Sequence, residues 1–242
     1  SALNYWEPLQ LDRRSWSSLY QQVPSPEEGD FFKAEWVLRY DHLPKNVKYY
    51  LSADYAVAPE QEGKDPDWSV ILCWAVDTER NIYLVDGWKG RTTPDQWIES
   101  LLDLAEEYKP MKHIAGGGVI RHGTESFLRD AMRRRGVYVT SECLSESHGK
   151  QVNARAFQGM MASGFVYWPR NCELTEWVLR QLIGFGTLTH DDAVDACAML
   201  GRHLGRIWAP NKGRLAKPTH VFKVGLIPVS QLGAKKMKTK IT

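Results

Sequence analysis

Short apolar runs in the middle of the chain predict three consecutive strands. The runs cover Val47 to Ala53, Trp68 to Val76 and Ile82 to Trp88, and polar residues 77–81 separate the last two. Runs of this length, rich in β-branched and aromatic residues and bounded by polar turns, are typical of strands in a meander. The first strand delivers Asp54 to the edge of the sheet.

The remainder of the chain alternates between helical and extended patterns. Apolar residues recur at helical spacing from Thr93 or Pro94 until Tyr108-Lys109-Pro110 stops the helix. The further predicted elements are a strand over Lys112–Ala115, a helix over 124–135, a strand over Val137–Thr140, and helices over Lys150–Ser163 and Glu173–Ile183. This order predicts an α/β fold, a mixed sheet with helices on both faces, and its meander and late acidic helix suggest a ribonuclease-H-like fold.

Acidic residues gather at the start of the last predicted helix. Asp191, Asp192 and Asp195 precede or begin an apolar helical stretch, and His190 stands directly before them. Acids in a first helical turn cap free N–H groups and complement the helix dipole. Three acids exceed that need, because Asp192 and Asp195 share a helix face and repel each other unless a cation lies between them. Together with Asp54 they indicate a divalent metal site, where His190 could polarise water or simply cap the turn.

Composition limits the other functional classes. The 242 residues are 43% apolar, enough for one large domain with appendages, and the net charge is +2. The four cysteines lack metal-ligand spacing, and the three glycines 116–118 lack the Lys and hydroxyl of a P-loop. With neither a long apolar run nor a signal peptide, we expect a soluble, intracellular protein without a membrane partner. The chain divides into an entry segment (1–48), a main domain (49–208) and a basic tail (209–242).

Several motifs, in order and spacing, resemble the C-terminal nuclease domain of the large terminase subunit of tailed bacteriophages. The resemblance covers roughly residues 16 to 205 and rests on these segments: Ser18-Leu19-Tyr20-Gln21-Gln22-Val23-Pro24, Ser52-Ala53-Asp54-Tyr55-Ala56, Asp67-Trp68-Ser69, Asp86-Gly87-Trp88-Lys89-Gly90-Arg91 and His190-Asp191-Asp192-Ala193-Val194-Asp195-Ala196. It implies an endonuclease that cuts concatemeric double-stranded DNA during genome packaging in the host cytoplasm. The entry segment would then join an ATPase domain absent from this chain, and the partners would be the portal protein and the small terminase subunit.

The resemblance also implies a catalytic site of two Mg²⁺ or Mn²⁺ ions. Asp54, Asp191 and Asp192 would be catalytic metal ligands, with Asp195 as a further ligand. The family places another acid after the strand that leads to the glycines, but this chain has Ala115 and Gly116 there. Either the acid was replaced to make an inactive protein, or a nearby acid such as Asp67 or Glu125 takes its place. Loss of a ligand would make the chain a poor nuclease.

Basic residues near these motifs are candidates for contacts with the DNA backbone, which would not depend on base sequence. They are Lys89, Arg91, Arg121, Lys150 and Arg155. Each could equally be a solvated surface charge. The missing acid and the basic tail also leave an alternative open, in which the domain grips DNA and docks on the portal or the motor without cutting.

Overall fold

A seven-stranded mixed sheet forms the centre of the fold. The computed structural model describes residues 31–56, 65, 67–117, 123–145, 149–207 and 226–228. Its strands are β1 (Leu38–Tyr40), β2 (His42–Pro44), β3 (Val47–Asp54), β4 (Ser69–Asp77), β5 (Ile82–Gly90), β6 (Lys112–Gly116), β7 (Ser141–Leu144), β8 (Val166–Pro169) and β9 (Leu226–Pro228). Its helices are α1 (Pro94–Tyr108), α2 (Glu125–Arg135), α3 (Lys150–Ala162), α4 (Glu173–Ile183) and α5 (Asp192–Ile207), and a 3-10 helix covers Ala34–Trp36.

The strand order in the sheet is β1-β8-β5-β4-β3-β6-β7. Strands β3, β4 and β5 form the antiparallel meander that the sequence predicts. Strands β6 and β7 extend it in parallel beside β3, while β8 and β1 extend it in parallel beside β5. Strand β2 pairs separately with β9. This mixed sheet confirms the predicted α/β, ribonuclease-H-like class.

Helices cover both faces of the sheet because its central strand is apolar on both sides. Along β4, Val70, Leu72 and Trp74 face a core that includes residues of α3, α4 and α5. The alternate residues Ile71 and Cys73 face a second core built with α1 and α2. Successive side chains of a strand point to opposite faces, so this continuous apolar run supports two helical layers.

Two parts of the predicted element order need correction. Strand β7 lies at Ser141–Leu144, four residues beyond the predicted Val137–Thr140. Helix α2 ends at Gly136, which adopts a left-handed φ of 68°, and the next residues carry the chain from the helical layer to the sheet. Their β-branched residues serve packing instead, since Val139 is buried against the α1–α2 face. The sequence pattern also missed the strands of three or four residues, β1, β2, β8 and β9.

The predicted boundaries at residues 48 and 208 stay predictions, although β1 adds residues of the entry segment to the sheet. Within the described residues, no helix combines the length and apolarity that a membrane crossing requires.

Candidate metal centre

Three elements meet at one edge of the sheet. Strand β3 ends at Asp54, which pairs with Val70 near the start of β4. The two ends are tied together by a hydrogen bond of 3.0 Å from the Ala56 N–H to the Ser69 hydroxyl. Helix α5 begins at the same place, because the backbone N–H of Trp68 hydrogen-bonds the carboxylate of Asp192. Asp54 and Asp192 therefore lie at the same edge of the sheet.

Asp67, His190 and Asp192 bring ligand atoms within 4.8 Å of one another, and we refer to them as the acid–histidine cluster. The Nδ1 atom of His190 lies 3.6 Å from Oδ1 of Asp67 and 3.8 Å from Oδ2 of Asp192. Asp192 is only 4% exposed. Among the described residues, neither its Oδ2 nor His190 Nδ1 has a hydrogen-bond partner. Buried polar atoms are normally satisfied, so these two atoms are available to bind a further group.

A cation would suit these atoms on electrostatic grounds. Burial is the main reason that the pKa of Asp192 is raised to about 6, and the nearby carboxylate of Asp67 raises it further. Backbone N–H groups of Trp68 and of Asp192 itself, and the charge of His190, act in the opposite direction. A divalent ion between two carboxylates and an imidazole would remove the cost of this buried charge. The oxygen and nitrogen donors suit Mg²⁺, Mn²⁺ or Zn²⁺.

The carboxylate of Asp65 orients His190 for metal binding. Its Nε2 lies 2.6 Å from Oδ2 of Asp65. Because a carboxylate only accepts hydrogen bonds, this contact requires a proton on Nε2, so in the neutral ring Nδ1 would present its lone pair to the cluster. Hydrogen bonds from His190 and Arg91 lower the pKa of Asp65. Arg91 completes the chain of contacts, 2.5 Å from Asp65 and 4.5 Å above the Trp68 ring.

The first turn of α5 is capped by a residue from α4. The turn between the two helices passes through Gly186, whose φ of 84° favours glycine. The side-chain oxygen of Gln181 then accepts a 2.8 Å hydrogen bond from the N–H of Ala193. A neutral amide thus fills the capping role that the sequence offered as the alternative explanation of the aspartates.

Asp191 and Asp195 face a lysine, and neither belongs to the acid–histidine cluster. The Lys150 ammonium contacts Asp191 and lies 3.1 Å from Oδ2 of Asp195. Partial burial disfavours the charge of Lys150, but its hydrogen bonds to both carboxylates outweigh that effect and raise its pKa. Of the predicted ligands, the structure thus places Asp192 in the cluster, Asp54 at the same edge, and Asp191 and Asp195 on Lys150.

The positions of the missing acid lie at the end of β6. Ala115 is buried and Gly116 pairs with Leu144 of β7. Of the two acids considered as replacements, Asp67 belongs to the acid–histidine cluster. Glu125 forms an exposed ion pair of 2.7 Å with Arg129 on α2.

The predicted DNA contacts occupy different environments. Lys89 is buried, with its ammonium 4.1 Å from the Trp68 ring centre and 4.8 Å from that of Trp177. Arg91 belongs to the network around Asp65, and Arg155 is exposed on α3. Arg121 lies outside the described residues. The sequence missed Asp65, whose only signal was its position two residues before Asp67 in a polar stretch.

Solved structures share this architecture. The large terminase of a thermophilic bacteriophage has a TM-score of 0.50 and 13% identity, over 81% of this chain and 53% of that protein. The chain shares its fold with the matching part of that large terminase. This chain spans about half the length of that terminase. A second crystal form of the same terminase gives the same TM-score over 83% of this chain. The resemblance found in the sequence is confirmed at the level of the fold.

Structures of terminase nuclease domains are also similar to this chain. The nuclease of the thermophilic phage G20c, with bound magnesium, is 17% identical over 72% of this chain and 95% of that one, with a TM-score of 0.46. The human cytomegalovirus terminase nuclease domain is 10% identical over 72% and 94%, with a TM-score of 0.48. No protein-family model matches the chain, and no curated sequence is similar enough to count as a relative.

Proposed function

We propose that this chain is the metal-dependent endonuclease part of a phage large terminase and cuts concatemeric double-stranded DNA during packaging. The observation that supports it best is the buried, unpartnered Oδ2 of Asp192 facing His190 Nδ1 and Asp67. Together these atoms form a site for a divalent cation at the edge of a sheet with the large-terminase fold. A metal site at this edge is where phosphodiester hydrolysis would take place.

The acid–histidine cluster would hold Mg²⁺ or Mn²⁺. Asp54, at the same edge, is proposed as a further catalytic ligand. The resemblance also names Asp191 and Asp195 as metal ligands, but both contact Lys150. Bound divalent ions would supply a hydroxide-like nucleophile at neutral pH and stabilise the departing 3′ oxygen. The chain's own contribution is rigid placement: Trp68 fixes Asp192 through its N–H, and Asp65 fixes the ring of His190.

Asp67 is proposed to supply the carboxylate that is absent at residues 115 and 116. Its Oδ1 approaches the same His190 nitrogen as Asp192 does, from the segment before β4. The expectation of a poor nuclease rested on that absence alone. With Asp67 in the cluster, we propose that the chain cleaves DNA without an acid at Gly116.

DNA would be held through its phosphates by basic groups around the centre. Arg91 and Lys150 lie beside the acids, and Arg155 is exposed one and a half turns along α3 from Lys150. We retain Arg121 and Lys89 as proposed contacts, with Lys89 needing a rearrangement of its tryptophan neighbours to reach phosphate. Such contacts would give salt-dependent binding without base preference.

The length of the matching large terminase supports further parts around this chain. Since the chain spans about half of a large terminase, we propose that an ATPase domain, the portal protein and the small subunit complete the packaging complex. That complex would act in the host cytoplasm and would not be part of the mature virion.

Cleavage of supercoiled plasmid tests the function. The parent chain and Asp192→Asn would be incubated with Mn²⁺ or EDTA, with Asp130→Asn, an exposed aspartate of α2, as the control. We expect Mn²⁺-dependent cleavage by the parent and the control, and a loss of at least about 100-fold in Asp192→Asn, as expected when a charged ligand that stabilises the transition state is removed. DNA binding without cleavage by any variant would instead support the portal-docking and DNA-gripping module.

A further inference from the structure

Two aspartates one helical turn apart share a single lysine beside the acid–histidine cluster. Asp191 precedes α5 and Asp195 lies in its first turn, with side chains 24% and 20% exposed. Like charges at this i, i+4 spacing destabilise a helix. The Lys150 ammonium contacts both carboxylates and lies 3.1 Å from Asp195 Oδ2. One ammonium group therefore already bridges these two carboxylates, both of which the resemblance names as metal ligands.

The helix that carries Lys150 packs closely against α5. It is the first residue of α3, and α3 lies against α5 at Gly201. A Cβ atom at Gly201 would come within 2.6 Å of the backbone nitrogen of Phe157. This close approach holds the two helices together at Phe157 and Gly201. Lys150 thus extends towards the acids from a helix that is packed against α5.

We propose that Lys150 takes the place of the second divalent cation, so that the chain binds one divalent ion, at the acid–histidine cluster, and one ammonium group. The inference rests on the proposed function. Its test measures metal binding and does not depend on DNA cleavage. An ammonium has three N–H donors. Two are directed at Asp191 and Asp195, and the third is available to a phosphate oxygen of bound DNA.

Counting bound Mn²⁺ by electron paramagnetic resonance tests this inference without measuring cleavage. The parent chain would be compared with Lys150→Met, which keeps the length of the side chain and removes its charge. Lys48→Met is the matched control, since Lys48 is an exposed lysine near the opposite end of β3 from Asp54. The double variant Lys150→Met/Asp191→Asn removes both the ammonium and one of its carboxylates. Thermal melting of each variant verifies that it is folded.

We expect one Mn²⁺ per chain for the parent and for Lys48→Met, two for Lys150→Met, and one again for the double variant. Two ions bound by the parent, or a single ion bound by folded Lys150→Met, would overturn the inference. If Lys150→Met does not fold, Lys150→Gln replaces it. The inference then requires one Mn²⁺ per chain for the parent and two for Lys150→Gln. Absence of any bound ion in the parent would instead refute the metal centre itself, and with it the proposed function.

Discussion

His190 Nδ1 lies 3.8 Å from Asp192 Oδ2, and within the described residues neither atom has a hydrogen-bond partner. The separation is too long for a hydrogen bond and suits two ligands on opposite sides of one ion, since metal–ligand distances are about 2 Å. The imidazole reaches this position because Asp65 holds its other nitrogen. The metal centre therefore depends on the placement of these side chains, and metal-binding measurements on variants can test it.

Replacing Asp192 with Asn should abolish stabilisation by metal. An ion at roughly 100 times its Kd stabilises a protein by about 2.7 kcal/mol, so we expect Mn²⁺ to raise the Tm of the parent by several degrees. Asp192→Asn should lose this increase. In EDTA it should melt at or above the temperature of the parent, because a buried carboxylate whose Oδ2 has no partner is replaced by a neutral amide. Differential scanning calorimetry with and without Mn²⁺ measures both effects.

The exposed variant Asp130→Asn should keep the full increase in Tm. An equal Mn²⁺-induced increase in Asp192→Asn would mean that the ion binds elsewhere.

Asp65→Asn should weaken metal binding without removing a ligand. Loss of the carboxylate frees the tautomer and the ring orientation of His190, and such outer partners typically contribute about 10- to 100-fold in metal affinity. Titration of the chain with Mn²⁺ measures the change in Kd. An Asp41→Asn control removes an exposed carboxylate that pairs with Arg170 instead. Unchanged affinity in Asp65→Asn would show that His190 does not depend on this contact.

Gly201 and Gly205 offer a matched pair of substitutions in α5. A Cβ at Gly201 would lie 2.6 Å from Phe157 N, whereas one at Gly205 would lie an ordinary 3.8 Å from the Ala156 Cβ. Gly201→Ala should therefore destabilise the fold by about 1–3 kcal/mol through overpacking. Gly205→Ala should stabilise it by up to about 1 kcal/mol through helix propensity. Urea unfolding measures both, and equal signs would contradict the close contact between α3 and α5.

His113 should make stability depend on pH. It is fully buried, with Nε2 2.9 Å from the Tyr55 hydroxyl and Nδ1 3.0 Å from that of Ser141. Burial lowers its pKa to about 4, below the ordinary value of 6.5. Between these values the unfolded chain binds more protons, so stability falls as the pH decreases from 6.5 towards 4, by a total of about 3 kcal/mol.

Replacement of His113 by Gln should remove this contribution to the pH slope of the unfolding free energy, whatever its effect at neutral pH. His42→Gln, at an exposed position, should leave the slope as it is in the parent. Denaturant unfolding at several pH values gives the comparison. Identical slopes in the parent and His113→Gln would contradict the neutral, buried state of His113.

The meander was predictable because β3, β4 and β5 are long runs of β-branched and aromatic residues that end in clear turns. Strand β8 has four residues and depends on pairing with β1 and β5, which no local pattern can reveal. The same reason explains the shifted β7. The sequence Val137-Tyr-Val-Thr has high strand propensity, but the register with β6 selects Ser141–Leu144.

The candidate site was partly predictable for a similar reason. Asp192 stood out because acids in an apolar helix need an explanation, and the structure places it, buried, in the acid–histidine cluster. The residues that surround it are brought together only by the tertiary fold. Asp67 and Asp65 come from a polar stretch more than 100 residues earlier. Nothing in the local sequence distinguishes an aspartate that faces Lys150 from one that faces His190.

The most direct measurement compares plasmid cleavage in Mn²⁺ by the parent chain, Asp67→Asn and Gly116→Glu. The central claim is that Asp67 completes the metal centre in the absence of an acid at residues 115 and 116. It predicts that the parent cuts and that Asp67→Asn loses cleavage while remaining folded. Cleavage by Gly116→Glu alone, or undiminished cleavage by Asp67→Asn, would contradict it.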